Sequence, residues 1–465
     1  MSSPRYLTAL LALLLCMAWV PVARAQASGP VYVVEEGDSL WSVAARFGTS
    51  LEALAQANGL SASGGISPGQ ELVIPGFEGV SGRLITHEVA FGEDLSSVAQ
   101  VYGVAPESLL ALNRGLSPER IYAGQPLIVP FDEGTARALV EASRQLIGVG
   151  DTLTGQAAAA GHNAWSLQSR NGAGERLWLL PGDSLALPAE GVPNTALPLP
   201  IVGASLEPQV GTQGEIVTLR LRAEAPIRAE GELADWPLVF QPDGAQGYVA
   251  LQGIHAMLEP GVYDLEFRWQ ADPASGTFQR FQQPFRVRQG EFGREALAVD
   301  PETVDPAVTV PEDARIQELV TPKTPERLWR GAFLLPSEFY TDSFPSIFGT
   351  RRSYNGEGYF KYHNGLDFYG GTGVPILAPA QGRVVFAGPL DVRGNATYID
   401  HGWGVYTGYL HQSEILVKVG QMVEPGQEIG LVGGTGRVTG PHLHWEVWVG
   451  GVPVNPLEWV ELSNS

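Results

Sequence analysis

The N-terminal part of the chain repeats itself, and this feature constrains the fold more than any other in the sequence. An offset of 55 residues places the GDSL run at 37–40 on the GEDL run at 92–95, and the match continues without gaps to Pro75 and Pro130. A further offset of 58 finds a looser copy that contains GDTL at 150–153. Each unit has about 45 residues, so we expect small modules in series rather than one large N-terminal domain.

Each unit has a β-α-α-β pattern. In the first unit, a short β-rich run at 32–34 precedes the GDS run at 37–39, where a short polar side chain can cap the next helix. Four apolar residues then recur at helical spacing and form one stripe: Leu40, Val43, Ala44 and Phe47. A second short helix and a final strand that ends at Pro75 complete the unit.

The middle of the chain changes its apolar period to two. From 200 to 289, apolar and polar residues alternate, as in Val217, Leu219 and Leu221, and the pattern predicts a β-sandwich-like, immunoglobulin-like domain. Its histidine, His255, has no catalytic spacing and is interpreted as a surface or core residue. Five prolines among acidic residues at 291–328 predict an extended, stiff connector with little helix. Both segments are interpreted as spacers.

The first 25 residues have the pattern of a secretory signal. Arg5 precedes an apolar run at 7–20, and Ala-Arg-Ala at 23–25 offers a small-x-small cleavage site. The apolar run is shorter than the roughly 20 residues that span a bilayer. The single cysteine, Cys16, lies inside this segment, so a mature chain would contain no disulfide. We expect a secreted protein of the cell wall or periplasm, with no membrane partner after signal cleavage.

The charge balance limits the classes of partner. The chain carries 50 acidic residues against 29 Lys and Arg, for a net charge of −21. Nucleic acids and anionic membrane surfaces attract basic proteins, so neither is an expected partner. A neutral ligand such as a glycan is compatible with this charge.

Histidines concentrate near the C-terminus. Five of the eight fall within 82 residues: His363, His401, His411, His442 and His444. His363 and Asp367 are four apart in a strand-like setting, and His442 and His444 are two apart in another, so each pair shares one face of its strand. Zinc binds imidazole nitrogen and carboxylate oxygen, and catalytic sites use three protein ligands plus water. Two histidines and one carboxylate would suffice, which leaves other histidines for proton transfer.

The last third carries a series of motifs that resembles a known family. From about 329 to 459 the chain resembles the lysostaphin/LytM-type zinc endopeptidases, which cut peptidoglycan peptides. The resemblance rests on FGTRR (348–352), HNGLD (363–367), VPILAP (374–379), IDHG (399–402), YLH (409–411), GGTG (433–436) and GPHLHWE (440–446). It implies a mostly antiparallel β peptidase domain with a long groove over its sheet.

The same resemblance implies roles for individual residues. It makes His363, Asp367 and His444 the zinc ligands, and it places His411 and His442 beside the attacking water and the scissile carbonyl. His401 matches a position that is not catalytic and is interpreted as structural. Which of His411 and His442 is the general base stays open, although His411 is the preferred candidate.

The repeats resemble the LysM module, whose family binds N-acetylglucosamine-containing glycans such as peptidoglycan. The resemblance is close for 31–75 and 86–130 and loose for 145–188, where Gln156 disturbs the first helical stripe. The chain as a whole is therefore expected to be multidomain and mainly β. We expect an exported zinc endopeptidase that LysM modules tether to peptidoglycan. The alternatives are a non-catalytic activator of another wall hydrolase and a wall-binding structural protein, both disfavoured by the intact set of five residues.

Overall fold

The structure is a computed structural model that describes most of the chain. The described ranges are 29–77, 79–132, 142–159, 179–182, 184–188, 197, 200–270, 278–321, 324–339 and 344–461. The predicted signal segment at 1–25 lies outside them. None of the helices within these ranges has the length and hydrophobicity that a membrane crossing requires.

The chain divides into two compact units. The first contains the described parts of Met1–His87, Ala99–Leu116 and Leu127–Ala138, and the second contains those of Glu88–Val98, Ser117–Pro126 and Leu139–Ser465. The first module, residues 31–75, therefore lies wholly in the first unit. The second unit contains the middle domain and the C-terminal domain, which includes every candidate site residue.

The first module has the predicted β-α-α-β order. Ser39 caps the first helix by accepting a hydrogen bond from the Ser42 backbone N–H, and Gly48 ends that helix in the left-handed conformation. The four apolar residues of the predicted stripe are all buried. The elements are β1 (Val31–Val33), α1 (Leu40–Phe47), α2 (Leu51–Ala57) and β2 (Glu71–Val73).

The second module repeats this order and shares a sheet with the first. The four strands are hydrogen-bonded in the order β2-β1-β3-β4. Asn58 and Asn113, which the repeat aligns, bind the backbone of β2 and β4 in the same way. The elements are β3 (Arg83–Glu88), α3 (Leu95–Val101), α4 (Pro106–Leu112) and β4 (Pro126–Phe131).

The third repeat is described only in part. Strands β5 (Ala142–Leu146) and β6 (Ser184–Pro188) pair antiparallel, and helix α5 (Leu153–Ala159) follows β5. The segment that would hold its second helix lies outside the described residues. A third glycan-binding module stays a prediction.

The middle domain is a β-sandwich, as its alternating pattern predicts. One sheet has the order β11-β10-β14-β15-β8 and the other has the order β12-β13-β9-β7. Val217, Leu219 and Leu221 point into the core with Phe267 and Trp269. The strands are β7 (Ile201–Glu207), β8 (Val210–Thr212), β9 (Ile216–Ala223), β10 (Arg228–Leu233), β11 (Trp236–Val239), β12 (Gln241–Asp243), β13 (Gly247–Gly253), β14 (Gly261–Gln270) and β15 (Gln279–Arg288).

The prediction of an extended connector with little helix at 291–328 is wrong. Strand β16 (Arg294–Leu297) pairs with the C-terminal domain, and helix α6 (Pro306–Val320) follows it. Pro306 occupies the first helical position, where proline is tolerated, and Asp305 caps the helix. Pro311 costs about 3 kcal/mol inside a helix. The complete burial of Ile316 and Val320, at about 1.5–3 kcal/mol each, offsets this cost.

The C-terminal domain is built on antiparallel β-structure. Its largest sheet has the order β19-β27-β23-β22-β21-β25, with β28 paired to β27. Two three-stranded sheets flank it, β20-β26-β24 and β16-β17-β18. The elements are β17 (Arg351–Tyr354), β18 (Lys361–Tyr362), β19 (Leu366–Tyr369), β20 (Pro375–Leu377), β21 (Gly382–Leu390), β22 (Gly394–Gly402), β23 (Val405–Gln412), β24 (Glu414–Ile415), β25 (Met422–Val423), β26 (Glu428–Leu431), β27 (His442–Val449), β28 (Val452–Val454) and α7 (Pro456–Glu461).

Candidate active site

Strand pairing brings the sequence-predicted site residues together. Strand β19 pairs antiparallel with β27 in a register that sets Asp367 opposite His444. His363 lies between β18 and β19, four residues before Asp367. His411, near the end of β23, and His442, at the start of β27, lie on neighbouring strands. The five residues thus meet at one end of the largest sheet.

Three of them form a tight triangle of possible metal-ligand atoms. The Asp367 Oδ1 atom is 2.9 Å from His363 Nε2 and 2.8 Å from His444 Nδ1, and the two nitrogens are 2.9 Å apart. All three side chains are buried. Among the described residues, this is the group of histidine and acidic side chains that is arranged to hold a metal ion.

The polar contacts outside the triangle indicate which ring nitrogens carry protons. His363 Nδ1 lies 3.0 Å from the Ile347 carbonyl oxygen, which can only accept, so this nitrogen is protonated and Nε2 offers a lone pair. His444 Nε2 makes no hydrogen bond but faces the Glu446 carboxylate at 3.4 Å, and this charge favours a proton on Nε2, which leaves Nδ1 as a lone pair in the neutral ring. Two nitrogen lone pairs and one carboxylate oxygen therefore converge, and this donor set fits a cation.

The pKa shifts within the triangle favour an ionised Asp367 carboxylate beside the imidazole rings of His363 and His444. Burial lowers the pKa of His363 to about 4. Burial alone would raise the pKa of Asp367, but His363 and His444 outweigh it and hold that pKa well below its usual range. Burial opposes protonation of His444 too, yet the Asp367 and Glu446 carboxylates raise its pKa. A metal ion in the triangle would compete with that proton.

His411 and His442 form a second pair beside the triangle, with ring centroids 5.1 Å apart. His411 Nδ1 donates to the Thr435 carbonyl oxygen and His442 Nδ1 donates to that of Gly440, each at 2.8 Å. A neutral His411 ring with Nδ1 as its donor keeps an unprotonated Nε2. Burial lowers the pKa of His411 to about 3.

The backbone of His411 is also unusual. Its φ of 64° lies in the left-handed region, which costs a residue other than glycine about 1–3 kcal/mol and is typical of functional sites.

Comparison with known proteins agrees with this geometry. Residues 361–456 match the model described as peptidase family M23, and residues 32–75 and 87–130 match the LysM domain model. The chain contains a peptidase M23 domain and two LysM domains. The expectation from the sequence motifs is confirmed for both kinds of domain.

Named relatives resemble the chain over part of its length. Peptidoglycan DD-endopeptidase ShyA of Vibrio cholerae is 51% identical over 96 residues, which cover 21% of this chain and 22% of that protein. ShyC, a peptidoglycan DD-endopeptidase of the same organism, is 44% identical over 140 residues, which cover 30% and 32%. The matches thus span less than a third of either relative. The solved catalytic domain of the antimicrobial peptidase lysostaphin from Staphylococcus simulans is 28% identical, with 31% of this chain and 96% of that chain covered and a TM-score of 0.21.

Glu446 supports the M23 triangle from outside, a role that the sequence motifs did not predict. Its carboxylate is completely buried and accepts hydrogen bonds from Asn364 Nδ2 at 2.6 Å, Tyr398 Oη at 2.8 Å and Trp448 Nε1 at 2.8 Å. Burial opposes its ionisation, but His444, the Arg393 guanidinium and the Trp448 N–H together lower its pKa to about 2. Its position two residues after His444 on one strand face was the available sequence signal. A carboxylate behind a metal-binding imidazole fixes the ring and its tautomer.

Replacement of Glu446 by glutamine tests this support. We expect metal affinity to fall about 10–100-fold, the usual effect of losing a carboxylate behind a ligating histidine. Competition with a chromophoric chelator measures the affinity, and Glu428→Gln, at an exposed position of β26, is the matched control. Equal affinity in both variants would contradict the role of Glu446.

His401 lies apart from the five residues. It is completely buried, and its ring nitrogens are 2.8 Å from the Gln381 carbonyl oxygen and 2.8 Å from Thr407 Oγ1. These contacts satisfy both nitrogens inside the core, which agrees with a structural interpretation.

The cleft that is lined by Asp367, His411, His442 and His444 has a volume of about 770 Å³. It is also lined by residues of the β-sandwich, namely Trp236, His255 and Met257. His255 Nε2 lies 3.2 Å from Tyr362 Oη, immediately before His363 in the chain. Arg351 donates to the Ala256 carbonyl oxygen at 2.7 Å and ties the same loop to β17. The middle domain is therefore more than the spacer that its sequence suggested, since it forms part of the cleft wall.

Proposed function

We propose that this protein is an exported, zinc-dependent endopeptidase that hydrolyses peptide bonds in peptidoglycan while its LysM domains hold it on the wall. The observation that carries the proposal is the convergence of His363 Nε2, Asp367 Oδ1 and His444 Nδ1 within 2.9 Å of one another, next to the imidazole rings of His411 and His442. The M23 and LysM matches and the names of the curated relatives support the substrate class.

Zinc suits the donor set. His363, Asp367 and His444 would hold it, since zinc takes nitrogen and carboxylate ligands and its catalytic sites use three of them. When bound, zinc lowers the pKa of a coordinated water towards neutrality and polarises a peptide carbonyl. Side chains of the protein carry out the proton transfers.

The second histidine pair supplies proton transfer. His411 Nε2 accepts a proton from the attacking water, whose oxygen forms a bond with the carbonyl carbon of the peptide. The Thr435 carbonyl oxygen keeps the other nitrogen of this ring protonated and stabilises the positive charge that His411 gains. As the C–N bond breaks, the proton moves to the leaving amine. His442 contacts the carbonyl oxygen or assists that last transfer.

The LysM domains would act as a tether. A tether raises the local substrate concentration without new contacts at the active site. The expected location is the cell wall or periplasm, with the signal segment at 1–25 directing export.

Competition with soluble glycan distinguishes wall binding by the LysM domains from peptide hydrolysis by the C-terminal domain. We expect oligomers of N-acetylglucosamine to reduce co-sedimentation with purified sacculi but to leave hydrolysis of a soluble cross-linked muropeptide unchanged, because only the former needs LysM binding. Sedimentation assays and chromatography of the muropeptide give the two measurements. Unchanged co-sedimentation at saturating oligomer would contradict the tether.

Release of dye from labelled sacculi tests the proposed activity. The purified protein is expected to release soluble dye, to stop in the presence of a zinc chelator and to recover when zinc is restored. Zinc-loaded protein that binds sacculi but releases no dye would favour the alternative of a non-catalytic activator.

A further inference from the structure

Helix α6 precedes the M23-matched residues, yet it packs against strands that carry the candidate active site. Its Ile316 and Val320 are completely buried with Tyr398 of β22 and Leu410 of β23. Leu410 is the residue before His411, and Tyr398 donates to Glu446. The helix thus packs against both β22, whose Tyr398 contacts Glu446, and β23, which carries His411.

Glu312 of α6 makes the most directional of these contacts. Its carboxylate is buried and accepts hydrogen bonds from the backbone N–H of Val392 at 2.8 Å, the backbone N–H of Arg393 at 3.1 Å and Arg393 Nη1 at 2.9 Å. A buried carboxylate is costly unless it is paired and hydrogen-bonded. Here it has three donors from one turn, and it fixes that turn between β21 and β22.

Arg393 extends this contact to both groups of histidines. Its carbonyl oxygen accepts from the His411 backbone N–H at 3.0 Å, at the strained position of that residue. Its Nε atom is buried without a hydrogen-bond partner and lies 4.0 Å from Glu446 Oε1. The Glu446 carboxylate in turn faces His444 Nε2.

We propose that Glu312 is a positioning residue of the active site. Through Arg393 it holds the backbone of His411 and the Glu446 carboxylate that orients His444. The segment between the β-sandwich and the M23 match is therefore part of the catalytic apparatus. This inference rests on the proposed function, because it assigns Glu312 a role in metal binding and turnover.

The role of Glu312 differs from simple stabilisation of the fold. A residue that only stabilised α6 would change the unfolding temperature and leave the folded site intact. A residue that sets the positions of His411 and Glu446 changes metal affinity and kcat in protein that remains folded. These readouts separate the two roles.

Glu312→Gln is the primary variant, and Glu318→Gln, at an exposed position of the same helix, is its matched control. We expect zinc affinity to fall about tenfold and kcat on a soluble cross-linked muropeptide to fall about 10–100-fold in Glu312→Gln, with KM within about twofold of wild type. Zinc affinity comes from chelator competition, and circular dichroism of the metal-free protein records folding. Folded Glu312→Gln with the zinc affinity and kcat of Glu318→Gln would overturn the proposal.

Two further variants keep the test decisive. Arg393→Lys replaces the test if Glu312→Gln does not fold, because it retains a cation but removes the Nε atom beside Glu446. This variant should show the same loss of zinc affinity. Unchanged affinity would refute the proposed link. The double variant Glu312→Gln with Glu446→Gln should lose less affinity than the product of the single losses, because both act through His444. Zinc affinity is informative even if wild-type protein cleaves no muropeptide, so failure of the proposed function is distinguishable from failure of this inference.

Discussion

Asp367→Asn is expected to lose its bound zinc, and its turnover rate on cross-linked peptides is expected to fall at least about a thousandfold. The Oδ1 atom of Asp367 is the one oxygen of the triangle and lies within 2.9 Å of the two nitrogens that we propose as zinc ligands. Asparagine preserves the volume but removes the negative charge that holds the cation between two neutral imidazoles. It also weakens the contact from Arg352 Nη2 to Oδ2, now 3.3 Å.

Elemental mass spectrometry measures the zinc content. Turnover of a purified muropeptide dimer measures the loss of activity. Glu428→Gln is the matched control, since it removes an exposed carboxylate from the same domain. Circular dichroism of Asp367→Asn shows whether the fold survives. One zinc per chain together with wild-type turnover in Asp367→Asn would refute the ligand assignment.

His411→Ala is expected to retain zinc but to lose about 10²–10⁴ in kcat, the usual contribution of a general base. His411 offers an unprotonated Nε2 beside the triangle, but it supplies none of the triangle's three atoms, which are two nitrogens and one carboxylate oxygen. The loss should fall on kcat more than on KM, because proton transfer occurs in the transition state.

His363→Ala is the comparison variant, because loss of a proposed zinc ligand should remove zinc and activity together. His442→Ala in parallel distinguishes the two candidate bases: the variant with the larger loss of kcat at full zinc occupancy identifies the base. A zinc-loaded His411→Ala protein with the full wild-type rate would exclude His411 from that role.

Periodic patterns made much of the fold predictable. The helical stripe at 40–47 and the alternation around 217–221 each report which face is buried, and both appear in the structure as expected. Part of the histidine site was predictable for a related reason, because His442 and His444 are two apart on β27 and share a face. The predicted strand pairing of His363 with Asp367 on one face is wrong, since His363 lies in the loop before β19.

The parts that sequence missed depend on contacts between distant residues. Helix α6 contains Pro311, and its formation depends on burial against strands about 80 residues away, which no local pattern records. His255 reaches the cleft through Tyr362, 107 residues later in the chain. Glu446 looked like one residue of a motif, and its role becomes apparent only from the donors that surround it.

Mass spectrometry of muropeptides from digested sacculi tests the central claim most directly. The zinc-loaded protein should convert cross-linked dimers into monomers with new amine and carboxylate ends, leave the glycan strands intact and stop when zinc is chelated. Asp367→Asn should leave the dimers uncut. An unchanged muropeptide profile with zinc bound, or dimer cleavage that persists in the presence of the chelator, would contradict a zinc peptidase built on His363, Asp367 and His444.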